Sequence, residues 1–306
     1  YSKNVRKTLS NISYKYYKNK PKNLIAVTGT NGKSSIADFY FQILELNKKK
    51  VASIGTLGVK TIFSKKPTSN TTLDSLKLGK ILNDLKKNKI ENVILEASSH
   101  GLKQNRLDGL NFKTGIFSNL SHDHLDYHKN LKNYLNAKLY LFKKLMKKKS
   151  NVITDISIPE YKKIKRIAIK KKINIFTIAN NKSDLSIISH KYLDEMQYVK
   201  IKYKNINYTF TTNLIGKIQV KNLVMAMLAA EKSNLDFKKI VNVINKIRPV
   251  DGRLENIGKI KNKSSVILDY AHTPEALKRC IENIKEQYNG KKISIVFGCG
   301  GDRDKK

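Results

Sequence analysis

The chain reads as an α/β protein. A central domain with a mostly parallel sheet surrounds a phosphate-binding loop, and the start of a Rossmann-like C-terminal α/β domain follows. Three observations predict this. Short apolar runs alternate with amphipathic segments. One run, Leu24 to Val27, leads into the glycine-paired stretch Thr28 to Ser35, T-G-T-N-G-K-S-S, and then into a helix-periodic segment. A fresh strand–helix–strand pattern begins after Arg248-Pro249-Val250-Asp251-Gly252, which reads as an interdomain hinge. With 306 residues the chain can hold two cores. The expected division is a terminal remnant at 1–20, a central domain at 21–250, and the first part of a C-terminal domain at 251–306.

Each element has its own signal. Tyr1 to Lys20 is basic and helix-like, with no core of its own. Ile36, Phe39, Tyr40, Ile43 and Leu44 recur on one helical face after the loop. Val51 to Ile54 reads as a strand, and Leu73, Leu76, Ile81, Leu82 and Leu85 suggest a helix. Val93 to Leu95 and Thr114 to Phe117 follow as buried strands. Asn130 to Met146 carries a clean helical stripe of Leu131, Tyr134, Leu135, Leu139, Phe142, Leu145 and Met146. The pattern is strand-rich from Ile173 to Thr212, and helical over Val220 to Lys232 and Phe237 to Ile247. Val266 to Leu268, a helix from Pro274 and Ile293 to Phe297 then make a βαβ unit, with proline where a first helical turn accepts it best. Gly298 to Lys306 reads as a loop after a strand, so the chain is expected to be a fragment.

Composition narrows the class. There is no run of roughly 18 apolar residues and no signal-peptide pattern. Cys280 and Cys299 are too few for a disulfide framework or a zinc site, which points to a reducing, cytoplasmic setting. The formal charge of +37 invites a nucleic-acid reading. The excess is mostly lysine, spread along the chain with many Asn and Ile, while arginine is scarce. That is the mix of an AT-rich coding sequence, so solvated lysine is the preferred reading. No nucleic-acid partner, no membrane span and a monomer are expected.

The chemistry starts at the loop. Its glycines let backbone N–H groups close on phosphate oxygens, Lys33 reaches the outer phosphates and Ser34 offers a hydroxyl to Mg²⁺. The helix N-terminus adds partial positive charge. The general loop pattern wants a glycine at position 27, where Val27 stands. Glu96 ends a predicted buried strand, where a carboxylate can hold Mg²⁺ beside the loop hydroxyl. Ser121 to His128 packs three histidines and two aspartates into eight residues. Spacing leaves metal binding and a solvated polar loop equally open. Lys138 falls on the apolar stripe of its helix, where an ammonium is costly and tends to lose its proton. Snorkelling to solvent is one reading. A neutral amine that adds CO₂ to give an anionic carbamate is the other, and the sequence alone does not choose.

A resemblance joins these pieces. T-G-T-N-G-K-S-S, N-T-T at Asn70 to Thr72, E-A-S-S-H-G-L-K-Q-N-R from Glu96 and N-L-S-H-D-H-L-D-Y-H from Asn119 come first. N-A-K-L-Y from Asn136, D-Y-A-H-T-P from Asp269 and G-C-G-G-D-R-D-K from Gly298 follow. In this order they are similar to the Mur ligase family, from Leu24 to the last residue. The likeness is to the member that adds the third amino acid, usually meso-diaminopimelate, to UDP-N-acetylmuramoyl-L-alanyl-D-glutamate in peptidoglycan synthesis. It implies ATP and Mg²⁺ as cofactors, and the UDP-N-acetylmuramoyl dipeptide and a free amino acid as partners. ATP would be bound by Gly29, Thr30, Asn31, Gly32, Lys33, Ser34 and Ser35, with Asn222, Arg253, Asp269 and His272. Ser34 and Glu96 would hold one Mg²⁺, and His124 with carbamylated Lys138 (N6-carboxylysine) the other. Asn70, Thr71, Thr72, Ser98, Gln104 and Arg106 would take the dipeptide substrate, and Arg303 the incoming amino acid. Lys33, Lys138 and His124 are the expected catalytic residues. The chain departs at Ser34-Ser35, where the family usually has Thr-Thr, although a hydroxyl is retained. The family's N-terminal uridine-binding domain and its third-residue specificity motif are expected outside these 306 residues. The alternatives are another Mur-type or folylpolyglutamate ligase, or a nucleic-acid-stimulated P-loop ATPase.

Overall fold

The structure is a computed structural model that describes residues 1–193, 195–261 and 264–298. The elements run α1 (Val5–Tyr16), β1 (Asn23–Thr28), α2 (Lys33–Leu46), β2 (Val51–Gly55), β3 (Gly58–Thr61), β4 (Lys65–Lys66), α3 (Ser75–Lys87) and β5 (Asn92–Glu96). Next come α4 (Ser99–Lys103), β6 (Phe112–Phe117), α5 (Leu125–His128), α6 (Leu131–Lys144), β7 (Met146–Asp155), α7 (Tyr161–Lys171) and β8 (Asn174–Ala179). The chain continues with β9 (Leu185–Leu193), β10 (Met196–Tyr203), β11 (Ile206–Thr212), α8 (Lys217–Glu231) and α9 (Phe237–Val241). It closes with β12 (Glu255–Lys259), β13 (Ser265–Leu268) and α10 (Pro274–Gln287).

Eleven strands form one sheet in the order β11-β10-β9-β8-β7-β6-β1-β5-β2-β3-β4. The stretch from β9 through β2 is parallel, and hairpins extend both edges. All six residues of β1 are buried, as a central strand covered on both faces requires. One core lies between the sheet and α2 with α8, the other beneath α3, α6 and α7. α2 is buried along nearly its whole length because α8 covers the face that the sheet leaves open. β1 is flanked by β5 on one side and β6 on the other, so strand order reverses there. Such a switch point opens a crevice at the C-terminal strand ends, and the phosphate loop leaves β1 into it.

Several expectations need correction. Leu76 of α3 is exposed, and Leu78, Leu82 and Leu85 form its buried face. The helix expected over Phe237 to Ile247 breaks into α9 and a 3-10 turn at Ile244–Lys246. The helix from Asn130 ends at Lys144, and Met146 opens a strand. After Gly252 the expected βαβ unit is an antiparallel β12–β13 pair followed by α10. Residues 293–297 are not a strand, and Val296 and Phe297 stand exposed. A strand needs a ladder partner, and no described strand runs beside that segment. No helix among the described residues is long and apolar enough to cross a membrane.

Candidate active site

The loop is held before any ligand is considered. Gly29 has a positive φ of 148°, and a Cβ there would lie 1.9 Å from Ser118 Oγ. Gly32 opens α2 in the left-handed region, against the side chain of Asn222. The turn after β6 supplies the anchor. The Thr30 amide donates to the Asn119 carbonyl at 2.9 Å, the Asn31 amide to Asn119 Oδ1 at 3.0 Å, and Ser118 Oγ to the Asn31 carbonyl at 2.6 Å. Lys33 folds back over its own loop, donating to the Thr30 carbonyl at 2.7 Å and the Gly29 carbonyl at 3.1 Å. Burial lowers its pKa, while Glu96 and Asp123 pull in the opposite direction.

Glu96, 2% exposed at the end of β5, accepts from Ser34 Oγ at 3.2 Å and from the Thr56 amide at 2.9 Å. A hydroxyl and a carboxylate at this separation form the hard oxygen pair that Mg²⁺ takes beside a bound phosphate. Among the described residues no group of three or more His, Cys, Asp or Glu could hold a metal unaided.

In the histidine-rich segment His124 and His128 both pack on the His100 ring, at 4.8 Å and 5.6 Å between ring centres, while His122 stands apart. His122 is exposed, Asp123 and His124 line the cleft, and His128 is buried. His124 adopts φ 53° at the start of α5, with Nε2 3.4 Å from Asp123 Oδ2. Burial pushes its pKa down, and Asp123 partly offsets this. The His128 ring stacks near His100, Tyr127 and Tyr134. Its Nε2 has no hydrogen-bond partner among the described residues.

Lys138 does not snorkel. It is 1% exposed; its Nζ donates to the Gly29 carbonyl at 2.7 Å and sits over the Tyr134 ring at 4.1 Å. Burial lowers its pKa well below the ordinary lysine value, and the charge of Lys33 adds to the effect. Both favour the neutral amine, the form that adds CO₂.

A cleft of about 280 Å³ joins the loop to residues from the far side of the hinge. Thr30 to Ser35, Thr71, Glu96, His124, Asn222, Arg253, Asp269 and His272 all line it. Asn222 donates to Gln219 Oε1 at 3.1 Å, and Gln219 in turn to the Arg253 carbonyl at 3.0 Å, so α8 ties the two sides together. The Arg253 guanidinium lies 4.6 Å from the Tyr270 ring centre. Asp269 accepts from the Leu254 and Ala271 amides, each at 2.8 Å, and burial raises its pKa. His272 Nδ1 lies 2.9 Å from the Tyr270 carbonyl.

The remaining predicted residues lie behind this wall or apart from it. Thr72 is buried, with its hydroxyl bonded to the Glu96 carbonyl at 2.8 Å and Ser98 Oγ at 3.0 Å. Ser98 caps α4. Arg106 clasps Gln104 and the Thr72 carbonyl, and Asn70 is exposed. Arg303 lies outside the described residues. Sequence reasoning missed Asn119 as the loop's anchor, Asp123 beside His124, and Arg279 and Cys280 on α10 at the cleft. Asn119 had a signal, since it follows a strand parallel to the loop's own. The α10 pair had none before the helix was placed.

Known proteins resemble this chain in sequence and in fold. Residues 27–230 match the Mur ligase middle domain, and residues 252–306 match the family described as Mur ligase, glutamate ligase domain. A protein of Rickettsia bellii named UDP-N-acetylmuramoyl-L-alanyl-D-glutamate--2,6-diaminopimelate ligase is 39% identical over 98% of this chain and 63% of its own length. A protein of the same name from Wigglesworthia glossinidia brevipalpis is 37% identical over 100% of this chain and 62% of its own. A solved structure of that name superposes with a TM-score of 0.82 at 31% identity, covering 99% of this chain and 62% of that one. A MurF ligase from Thermotoga maritima solved with ADP shares the fold, with TM-score 0.72 at 17% identity over 92% of this chain and 61% of that one. The chain thus spans just under two thirds of the length of the curated relatives it matches.

Proposed function

The chain belongs to the Mur ligase family, and on that premise we propose that it is the catalytic part of an ATP-dependent, ADP-forming amide ligase. It would join a third amino acid, meso-diaminopimelate, to UDP-N-acetylmuramoyl-L-alanyl-D-glutamate for peptidoglycan synthesis. One observation supports this most: the phosphate loop, Glu96 and His124 share a cleft with Arg253, Asp269 and His272 from beyond the hinge. A site divided in this way brings a nucleotide and a second reactant together from opposite walls. A cytoplasmic monomer is the form in which this reading expects the protein to act.

The chemistry has two steps. A carboxylate oxygen of the dipeptide attacks the γ-phosphorus of ATP, the bond to the β-phosphate breaks, and an acyl phosphate and ADP result. The amine of the third amino acid then attacks the acyl carbon, loses a proton and expels phosphate. Two anions must meet in the first step, so positive charge is the principal requirement. Lys33 already sits on the loop and needs only to swing from the Gly29 and Thr30 carbonyls to a phosphate oxygen. The α2 N-terminus fixes further partial charge. Ser34 and Glu96 would hold one Mg²⁺, and His124 with N6-carboxylated Lys138 the other; metal bound by these residues would neutralise developing charge on the transferring phosphoryl group. Asn222, Arg253 and Asp269 would orient the nucleotide, and Arg106, Gln104 and Thr71 the dipeptide.

The test is ADP release and amide formation by the full-length protein over a panel of muramoyl and folyl acceptors with candidate amino acids. Turnover confined to the muramoyl dipeptide and diaminopimelate supports the reading. Turnover with folyl-glutamate or a longer muramoyl peptide alone overturns it. For the lysine, Lys138→Ala should lose activity and regain part of it with a small carboxylic acid. Undiminished turnover by that variant would sink the carbamate.

A further inference from the structure

The sheet has a second charged end, far from the cleft. β6 and β7 run parallel to β1, so their first residues lie at the edge away from the phosphate loop. α6 leads into β7 and α7 into β8, so both helices finish at that edge. Residues 143–172 start at that edge, cross to the cleft side along β7 and return along α7; they carry twelve Lys and Arg against two acids, where the whole chain has 61 against 24. One of the acids, Asp155, is buried at the other end of β7 and bonded to Lys221 at 2.7 Å. None of the twelve cations forms an ion pair among the described residues.

The outer face of α7 adds an apolar element. Ile164 and Ala168 are its buried residues. On the opposite side Lys162, Lys165, Arg166 and Lys170 surround Ile169, which is 67% exposed. Surfaces that track nucleic acid interleave cations with aromatic stacking faces. Here the segment holds one aromatic, the half-buried Tyr161, and one arginine. Unpaired lysines around an exposed aliphatic side chain instead match an anionic headgroup layer, which draws the charges and admits the side chain.

We propose that the outer face of α7, together with the lysines at the edge where that helix finishes, docks on an anionic phospholipid surface, with Ile169 entering the headgroup layer. The test is co-sedimentation of the full chain with vesicles of phosphatidylcholine alone, or mixed with phosphatidylglycerol, at physiological salt. Binding should require the anionic lipid. The quadruple variant Lys162→Glu, Lys165→Glu, Arg166→Glu, Lys170→Glu should bind at least about tenfold more weakly. A charge-matched variant elsewhere (Lys191→Glu, Lys200→Glu, Lys202→Glu, Lys238→Glu) should lose less than about twofold, and Ile169→Asn should lose an intermediate amount. Thermal melts confirm that each variant is folded. Equal losses in the two quadruple variants would assign binding to bulk charge and overturn the proposal. So would absence of binding to the mixed vesicles, or tighter binding to duplex RNA or DNA than to them.

Discussion

The two ends of the central sheet use the same residue type in opposite ways. At the cleft, Lys33 and Lys138 are packed against the Gly29 carbonyl, and burial depresses both pKa values. At the other end, Lys147, Lys148 and Lys149 stand exposed with no ion-pair partner among the described residues. A lysine at the cleft is a desolvated reagent; a lysine at the far edge is a hydrated point charge. Net charge therefore says little about this protein until each cation is placed.

The contrast can be broken at its strong end first. Lys33→Ala should lower the rate of ADP formation by about 10³-fold, because Lys138, the other amine on the loop, is buried with its pKa lowered and does not replace the lost charge. Single-turnover ADP release measures it. Gly29→Ala should destabilise the fold by about 2–4 kcal/mol, read as a lower Tm. The left-handed backbone and the collision with Ser118 act together there.

Acidification sharpens the comparison next. Burial pushes the His128 pKa down to about 4, from an ordinary value of 6.5. The unfolded chain thus binds the proton more tightly between those values. The resulting stability is fully present above pH 6.5 and is lost as pH falls toward 4. The Tm should drop across that window, and His128→Phe should flatten the drop. An unchanged slope in the variant would remove His128 from the account.

Smaller effects come last. Tyr134→Phe keeps the ring under Lys138 and removes the 3.3 Å contact to Thr30 Oγ1, so stability should fall by about 1 kcal/mol. At the far edge, Lys148→Gln should change stability by less than about 0.5 kcal/mol. A larger loss there would mean that the exposed lysines carry structural weight.

Much of the fold was legible because apolar runs and helical stripes survive the lysine background. The strands at β2, β5 and β6 and the helix α2 were read on those grounds. β7 and α7 were not. Met146-Lys147-Lys148-Lys149 opens β7 with exposed charges, and Ile164 and Ala168 are too few to print a stripe on α7. The hinge region misled for a different reason: antiparallel pairing of β12 with β13 depends on long-range contacts that no local pattern encodes.

The site divides along the same line. By itself the sequence determined the local chemistry: a loop that cradles phosphate, an acid at a strand end, and a lysine on an apolar stripe. Loop geometry, strand ends and helical period are set by neighbours in the chain, so they can be read from it. Only the tertiary structure decided which of these meet. It buried Lys138 under the loop, left His122 exposed while packing His124 and His128 on the His100 ring, and bonded Thr72 and Ser98 to the Glu96 backbone and to α4. It also brought Arg253 and Asp269 across the hinge to the phosphate loop. These are contacts between residues far apart in sequence, and they exist only because burying two apolar cores against one sheet holds the strand ends together.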